Sequence, residues 1–274
     1  MLKRYAACAA MAAVVSCATP QRTPSTPAPQ REPVRILVFN IHAGKDAAGA
    51  SNLEAVADLI RSTGADLALL QEVDKRTKRS GSVDQLAVMS KRTGHAAAFG
   101  RSLDYDGGQY GIAALARAGF VANFTEPLPV RPLQARAGGS HEPRAALVVV
   151  ARTSAGNLTA LNTHLDASRE EGYRLQEIET VLKLVRSNQR SGLPAVAGGD
   201  FNAEPDSEVH RRVIASGLRD AWAECGKGPG LTYPADKPVK RIDYLFLADP
   251  LQCSDARVIE TTISDHRPLL VTLR

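Results

Sequence analysis

Apolar residues fall along this chain in short β-branched or aliphatic runs, most too brief for a helix and closed by glycine or polar residues. Val34–Phe39 predicts a strand, as do 66–71, 112–116, 145–151, 158–163, 193–197, 242–247, 256–260 and 269–273. Between them the period changes. Leu53, Val56, Ala57 and Ile60 recur at helical spacing behind Ser51 and Glu54, a capping-box pattern. A helix is predicted over 84–92, and another over 208–216. The longest should begin near Ser168, again with Glu three residues later, and carries Leu175, Ile178, Leu182 and Val185 on one face.

Strands therefore dominate, and many follow one another with no helix between. That argues against a fully parallel βαβ sheet. The expected class is α+β, a layered body of two packed sheets with helices outside.

The first seventeen residues read differently. Lys3 and Arg4 precede a short apolar stretch from Tyr5 to Val15, then small residues at Ser16, Cys17 and Ala18, the order of an export signal. The apolar stretch is shorter than the roughly 20 residues that span a bilayer. Two processing routes fit. Val14-Val15-Ser16-Cys17 matches a lipobox, which would lipidate Cys17 and tether the chain to the cell envelope; Ser16-Cys17-Ala18 also suits ordinary signal cleavage. Residues 18–33 carry prolines at 20, 24, 27, 29 and 33 and read as an extended tether. The body is expected over 34–274, long enough for one large domain, outside the cytoplasm and acting as a monomer.

Only Cys225 and Cys253 remain in that body. Outside the cytoplasm they could pair or stay as buried thiols, and neither belongs to a CxxC pattern that would hold zinc. The formal charge of +5 falls to +3 once Lys3 and Arg4 are removed (5 − 2), compatible with an anionic substrate but weak for a nucleic-acid groove. The densest basic cluster, Lys75, Arg76, Lys78 and Arg79, reads either as a solvated loop or as a phosphate-facing rim.

The chemistry lies where apolar runs end. Asn40 stands in VFNIH, Glu72 in LLQEV, His164 in LNTHLD, Asp200 and Asn202 in GGDFNAEP, Asp243 in RIDYLF, and Asp265-His266 in ISDHRP. Gly198-Gly199 before Asp200 permits tight backbone geometry. Strand ends converging at the mouth of a sheet would collect enough carboxylates, amides and histidines to hold Mg²⁺ and activate water against a phosphate ester. His42, two residues past Asn40, either faces such a site or caps the strand end.

Taken together and in order, the NTHL, GDFN, IDY and SDH motifs resemble the endonuclease/exonuclease/phosphatase (DNase I-like) superfamily, and NIHAGKD and LTYPA resemble its small bacterial metal-dependent hydrolases. The resemblance spans about 34–273 and implies a four-layer αββα sandwich. It implies Glu72 as principal Mg²⁺ ligand with Asn40 and Asp265 in or near its shell, and Mn²⁺ as a possible substitute. It makes His266 the general base, oriented by Asp243. Asp200 and Asn202 would position the nucleophile and phosphate, His164 would bind the phosphate or assist the leaving oxygen, and Arg144 in EPRAAL would approach the phosphate. One departure is Gly111-Ile112-Ala113, where related sequences often carry Gly-Asn-Ala.

The function expected is thus an exported Mg²⁺-dependent phosphodiesterase or phosphatase acting on a small or phospholipid-derived ester. A secreted nuclease is the alternative; aromatic residues make up only 5% of the chain, leaving little to stack on bases. A non-catalytic, lipid-anchored envelope binding protein is the alternative of another class.

Overall fold

In the computed structural model, which describes residues 1–2, 32–129 and 141–274, twelve strands form two six-stranded mixed sheets. The first contains β1 (Val34–Asn40), β2 (Leu67–Lys75), β3 (Ala96–Tyr105), β4 (Gly108–Ala116), β11 (Cys253–Val258) and β12 (Leu269–Leu273), ordered β11-β12-β1-β2-β4-β3. The second contains β5 (Phe120–Pro127), β6 (Ala145–Thr153), β7 (Gly156–His164), β8 (Ala195–Asp200), β9 (Arg219–Asp220) and β10 (Asp243–Leu247), ordered β5-β6-β7-β8-β10-β9. The helices are α1 (Leu53–Ser62), α2 (Gln85–Thr93), α3 (Gly172–Gln189), α4 (Glu208–Ala215) and α5 (Ala221–Cys225).

The alternation within each strand explains the layers. Ile36 and Val38 of β1 point between the sheets and pack with Leu69, Leu147, Val196 and Leu245. Leu37 and Phe39 point the other way, onto Val56 and Ile60 of α1 and Met89 of α2. The second sheet repeats the plan, with Ala197 and Phe246 facing Ile178, Val181 and Val185 of α3 and Val209 and Val213 of α4. Burying both faces of a sheet requires apolar residues at successive positions, so its central strands read as continuous apolar runs. The result is the four-layer αββα sandwich.

Each sheet has one parallel pair at its centre, β1 with β2 and β7 with β8, each joined through a helix. The parallel strands therefore end on one edge of their sheet: Asn40 pairs with Gln71, and His164 with Asp200. Antiparallel β10 begins on that edge, with Asp243 opposite Asp200. The topology thus brings together residues scattered through the sequence.

Several local readings shift. Helix α1 starts behind Asn52 and not through a Ser51–Glu54 box; the Asn52 amide instead donates to the carbonyls of Ile41, Lys45 and Ile263. Helix α3 begins at Gly172, because Ser168 is drawn back to the Asp166 carboxylate before the helix starts. Besides the two-residue β9, strands β3 and β5 have no counterpart in the predicted set. Their exposed edge positions interrupt the apolar pattern that marks the others. The export-signal and Cys17 readings, and the tether save its last two residues, lie outside the described residues. Among the described residues no helix is long and apolar enough to cross a membrane.

Candidate functional site

A cavity of about 620 Å³ opens at the shared edge, walled by Glu72, Arg144, His164, Asp200, Asn202, Asp265 and His266 among others. Asn40 and Asp243 lie almost fully buried behind this wall. The structure thus brings together all the predicted site residues of the body.

Glu72 reaches the cavity through a β-bulge. The register between β2 and β4 shifts between Leu70 and Val73, so Gln71 and Glu72 together oppose Ile112. Glu72 there adopts φ 58°, a left-handed conformation costly for a residue with a Cβ and common where function fixes the backbone. Ile112 itself packs between the sheets.

Asn40 is a bridge. Its Nδ2 donates to Glu72 Oε1 at 3.2 Å and to Asp200 Oδ2 at 3.1 Å, while its Oδ1 accepts the His42 amide at 3.1 Å. The expected oxygen ligand therefore presents its N–H₂ edge to the two acids. His42 and Ala43 both take positive φ in the turn that follows. His42 Nδ1 stands 3.9 Å from Asp265 Oδ1, so this histidine lies beside the site acid and its backbone closes the strand end.

His266 Nδ1 lies 2.8 Å from Asp243 Oδ2, both groups buried, and its Nε2 stands 3.6 Å from Asp200 Oδ2. Burial disfavours the imidazolium, but Asp243, Asp200 and Asp265 outweigh it and push His266 up to about 10. Burial also drives the Asp200 carboxyl upward, against the pull of His266 and with the added repulsion of Asp243. Donor atoms of Asp200, Asp243 and His266 lie within 4.8 Å of one another, a group that could hold a metal ion. The hydrogen bond already linking His266 to Asp243 favours reading that pair as a base and its orienter.

His164 behaves oppositely. Burial pushes it well below the ordinary histidine range, with Arg144 and His266 adding to the effect, which favours the neutral ring. Asn202 Nδ2 donates to His164 Nε2 at 3.1 Å and to the Leu165 carbonyl at 3.0 Å. The Asn202 backbone, at φ 47°, returns its N–H to Asp200 Oδ1. Gly199 matters here: a Cβ on it would fall 1.9 Å from the Thr163 carbonyl, so only glycine lets β8 pass β7 so closely. Arg144 is buried and pairs with Glu142 at 2.6 Å.

The basic cluster does not form a rim on this cavity. Arg79 makes a bidentate pair with buried Asp74 and lies over the rings of Tyr105 and Tyr110, while Lys75 lies over Phe99. Sequence reasoning missed Ser264, whose hydroxyl donates to the Asn40 carbonyl at 2.7 Å and so fastens the Asp265-His266 loop to β1. It also missed Asn162, two residues before His164, which supports the bulge at Glu72. The only sequence signal for Asn162 was a polar residue inside a buried run, and for Ser264 its place directly before Asp265-His266.

Residues 37–266 match the Endonuclease/Exonuclease/phosphatase family, and the chain belongs to that family of phosphoester hydrolases. It is 22% identical over 250 residues to the uncharacterized protein YbhP of Escherichia coli, an alignment covering 86% of this chain and 94% of that one. It is 26% identical over 205 residues to an inositol phosphosphingolipids phospholipase C of Schizosaccharomyces pombe, covering 69% of this chain and 46% of that protein. A mannosyl-6-phosphatase structure from Bacteroides thetaiotaomicron superposes with a TM-score of 0.72 at 18% identity, over 88% of this chain and 99% of the other.

Proposed function

We propose that this chain is an exported Mg²⁺-dependent hydrolase of phosphate esters in which His266, oriented by Asp243, removes a proton from the attacking water. The observation that supports this most is the His266–Asp243 pair, buried at one end of a cavity that also receives Glu72, Asp200 and Asp265. The activities carried by the phosphatase and phospholipase C relatives are of the same broad chemistry.

The donor set suits a hard cation. Glu72 and Asp265 offer carboxylate oxygens, and the cavity wall carries no thiolate. Glu72 and Asp265 would hold Mg²⁺, with Mn²⁺ able to replace it, while Asn40 keeps Glu72 and Asp200 at a fixed separation. A bound cation would polarise the phosphate and offset part of the negative potential that raises His266.

The chain's own groups do the rest. His266 Nε2 accepts the water proton, and Asp243 stabilises the charged ring and fixes its tautomer. Asp200, next to that nitrogen, aligns the water. Buried Arg144 and His164, whose ring is set by the Asn202 amide, face the phosphate, where fixed donors stabilise the charge that in-line attack spreads over its oxygens. The leader over residues 1–17, with Cys17 as lipidation site, supports action at the cell envelope.

The test is hydrolysis of bis-p-nitrophenyl phosphate and p-nitrophenyl phosphate with Mg²⁺ or Mn²⁺. EDTA, His266→Ala and Asp200→Ala should each abolish it. Inactivity with both metals across monoester, diester and nucleic-acid substrates would overturn the reading, and plasmid nicking without turnover of small esters would move it to a nuclease. Soluble release of wild type equal to that of Cys17→Ala would remove the lipid anchor.

A further inference from the structure

The cavity extends well past the reaction centre, and its outer wall differs from the usual lining of a binding pocket. Sites for apolar or aromatic ligands are walled mainly by hydrophobic side chains. Here the outer wall is built from Arg169, Glu171, Glu204, Asp206, Lys240 and Tyr233. These come from three separate segments: the approach to α3, the loop between β8 and α4, and the loop before β10.

Opposite charges share this wall, yet among the described residues none of Arg169, Glu171, Glu204 or Lys240 is taken up in an ion pair. All four line the cavity, and of their side chains only the Glu171 carboxylate takes up a hydrogen bond among the described residues. Two of them are nonetheless placed. Glu171 Oε2 receives the Glu208 amide at 3.4 Å, directing that carboxylate between the starts of α3 and α4. Lys240 is tied to Tyr233 through paired backbone hydrogen bonds, and the Tyr233 ring lies 4.8 Å from that of His266.

This wall excludes several leaving groups. An acyl chain needs a continuous apolar trough, and only Ala167, Ala203 and Ile242 interrupt the polar lining besides Tyr233. A nucleic-acid strand carries a phosphate at each step and needs a surplus of cations, whereas Glu171, Glu204 and Asp206 offset Arg169 and Lys240. Stacked bases need aromatic platforms, and Tyr233 is the one aromatic ring besides the two histidines on the wall. A second phosphate would meet the same carboxylates. What fits is a neutral group rich in hydroxyls, each able to donate to a carboxylate and accept from a cation.

We infer that this outer wall is a leaving-group subsite, and that the substrate is the phosphate monoester of a sugar or cyclic polyol. The inference rests on the phosphoester-hydrolase reading of the same cavity. Glu171, Glu204 and Lys240 are its specificity-determining residues, and Tyr233 supplies an apolar face beside the scissile bond.

The experiment compares glucose 6-phosphate and myo-inositol 1-phosphate with p-nitrophenyl phosphate, whose leaving group has no hydroxyls to read. In Glu171→Gln, Glu204→Ala and Lys240→Ala the KM for the polyol phosphates should rise roughly tenfold more than for p-nitrophenyl phosphate, the worth of one hydrogen bond to a charged group. These positions are partly or fully exposed, so the variants are expected to fold, with thermal melting as the check. Equal changes for all three esters, no changes, or preference for a dinucleotide would overturn the subsite while leaving phosphoester hydrolysis intact. If no ester is cleaved, the hydrolase reading fails first. Calorimetry then decides the subsite separately: glucose 6-phosphate must bind more tightly than inorganic phosphate, and equal or weaker binding overturns it.

Discussion

Gln71 Nε2 on β2 donates to Asn162 Oδ1 on β7 at 2.7 Å, a buried hydrogen bond between the two sheets. Asn162 spends its own amide on the other side of the same defect: Nδ2 donates to the carbonyls of Leu70 and Ala113, each at 2.9 Å. Those carbonyls flank the bulge that turns Glu72 into the cavity. One side chain of the second sheet thus hydrogen-bonds the backbone beside the first sheet's irregularity, a polar support for a bulge inside a dry core.

Replacing Asn162 by Leu keeps the volume but takes the side-chain donor from both carbonyls and the Asn162 acceptor from Gln71 Nε2, which keeps its bond to the Leu69 carbonyl. Each buried polar group left unpaired costs roughly 1–3 kcal/mol, so urea unfolding should show a loss of about 3 kcal/mol. With Glu72 as the proposed Mg²⁺ ligand held by that bulge, Mg²⁺ affinity measured by calorimetry should also fall roughly 10–100-fold, as when supporting residues of a metal site are removed. A variant that loses stability but binds Mg²⁺ like the wild type would separate the bulge from the site.

This arrangement also shows what could be read in the chain and what could not. The central strands and their order of chemistry were legible because a sheet covered on both faces needs unbroken apolar runs, and the site residues follow those runs directly. The bulge was not. Gln71 and Asn162 look like ordinary polar interruptions until the sheets are stacked, since the partner of each lies 91 residues away. Asn52 was hidden for a similar reason: an asparagine before a helix suggests a cap, while its actual partners are two carbonyls of the segment between β1 and α1 and the distant Ile263 carbonyl. Of the two readings of the basic cluster only the phosphate-facing rim fails: Arg76 and Lys78 are exposed, and nothing near Arg79 in sequence shows that it lies over Tyr105 and Tyr110.

The His266–Asp243 pair gives a sharper test of chemistry than of stability. Asp243→Asn keeps the shape but removes the charge that most raises the imidazole. The kcat for p-nitrophenyl phosphate should drop roughly 10²–10⁴-fold, the range for a lost general base or its orienter. In metal-free protein the His266 titration midpoint, followed by NMR, should move down. An unchanged midpoint would mean that Asp243 does not set the state of this ring.

Cys225 on α5 is bonded to Cys253 at the start of β11, closing a separation of 28 residues. The bond ties the helix after β9 in the second sheet to the edge of the first. A loop of this length is worth about 3–4 kcal/mol in chain entropy. Reduction by dithiothreitol, or the double substitution of Cys225 and Cys253 by Ala, should lower the melting temperature by roughly 10 °C for a domain of this size. Activity at 25 °C should persist, because neither sulfur lines the cavity. Loss of activity at a temperature where the reduced protein is still folded would give the bond a role in the site.

Glu177 provides the pH dependence. It lies buried on α3 with its Oε2 accepting the Asp166 amide at 2.8 Å. Burial pushes its carboxyl up to about 8, and the charge of Asp166 adds to this, against the downward pull of the Asp166 amide, Arg144 and Arg174. Its unfolded value is 4.5. Below that value both states hold the proton and the contribution to stability is fully present. Between about 4.5 and 8 the unfolded chain releases the proton while the folded one keeps it, so stability falls as pH rises; above about 8 the loss is complete. Glu177→Gln imitates the protonated acid at every pH and retains an oxygen for the Asp166 amide. Chemical denaturation at pH 5 and pH 9 should therefore show a smaller decline for the variant, with a gain at pH 9 of order 1–4 kcal/mol. Parallel pH profiles for the two proteins would show that the charges of Arg144 and Arg174 already keep Glu177 ionised in the folded state.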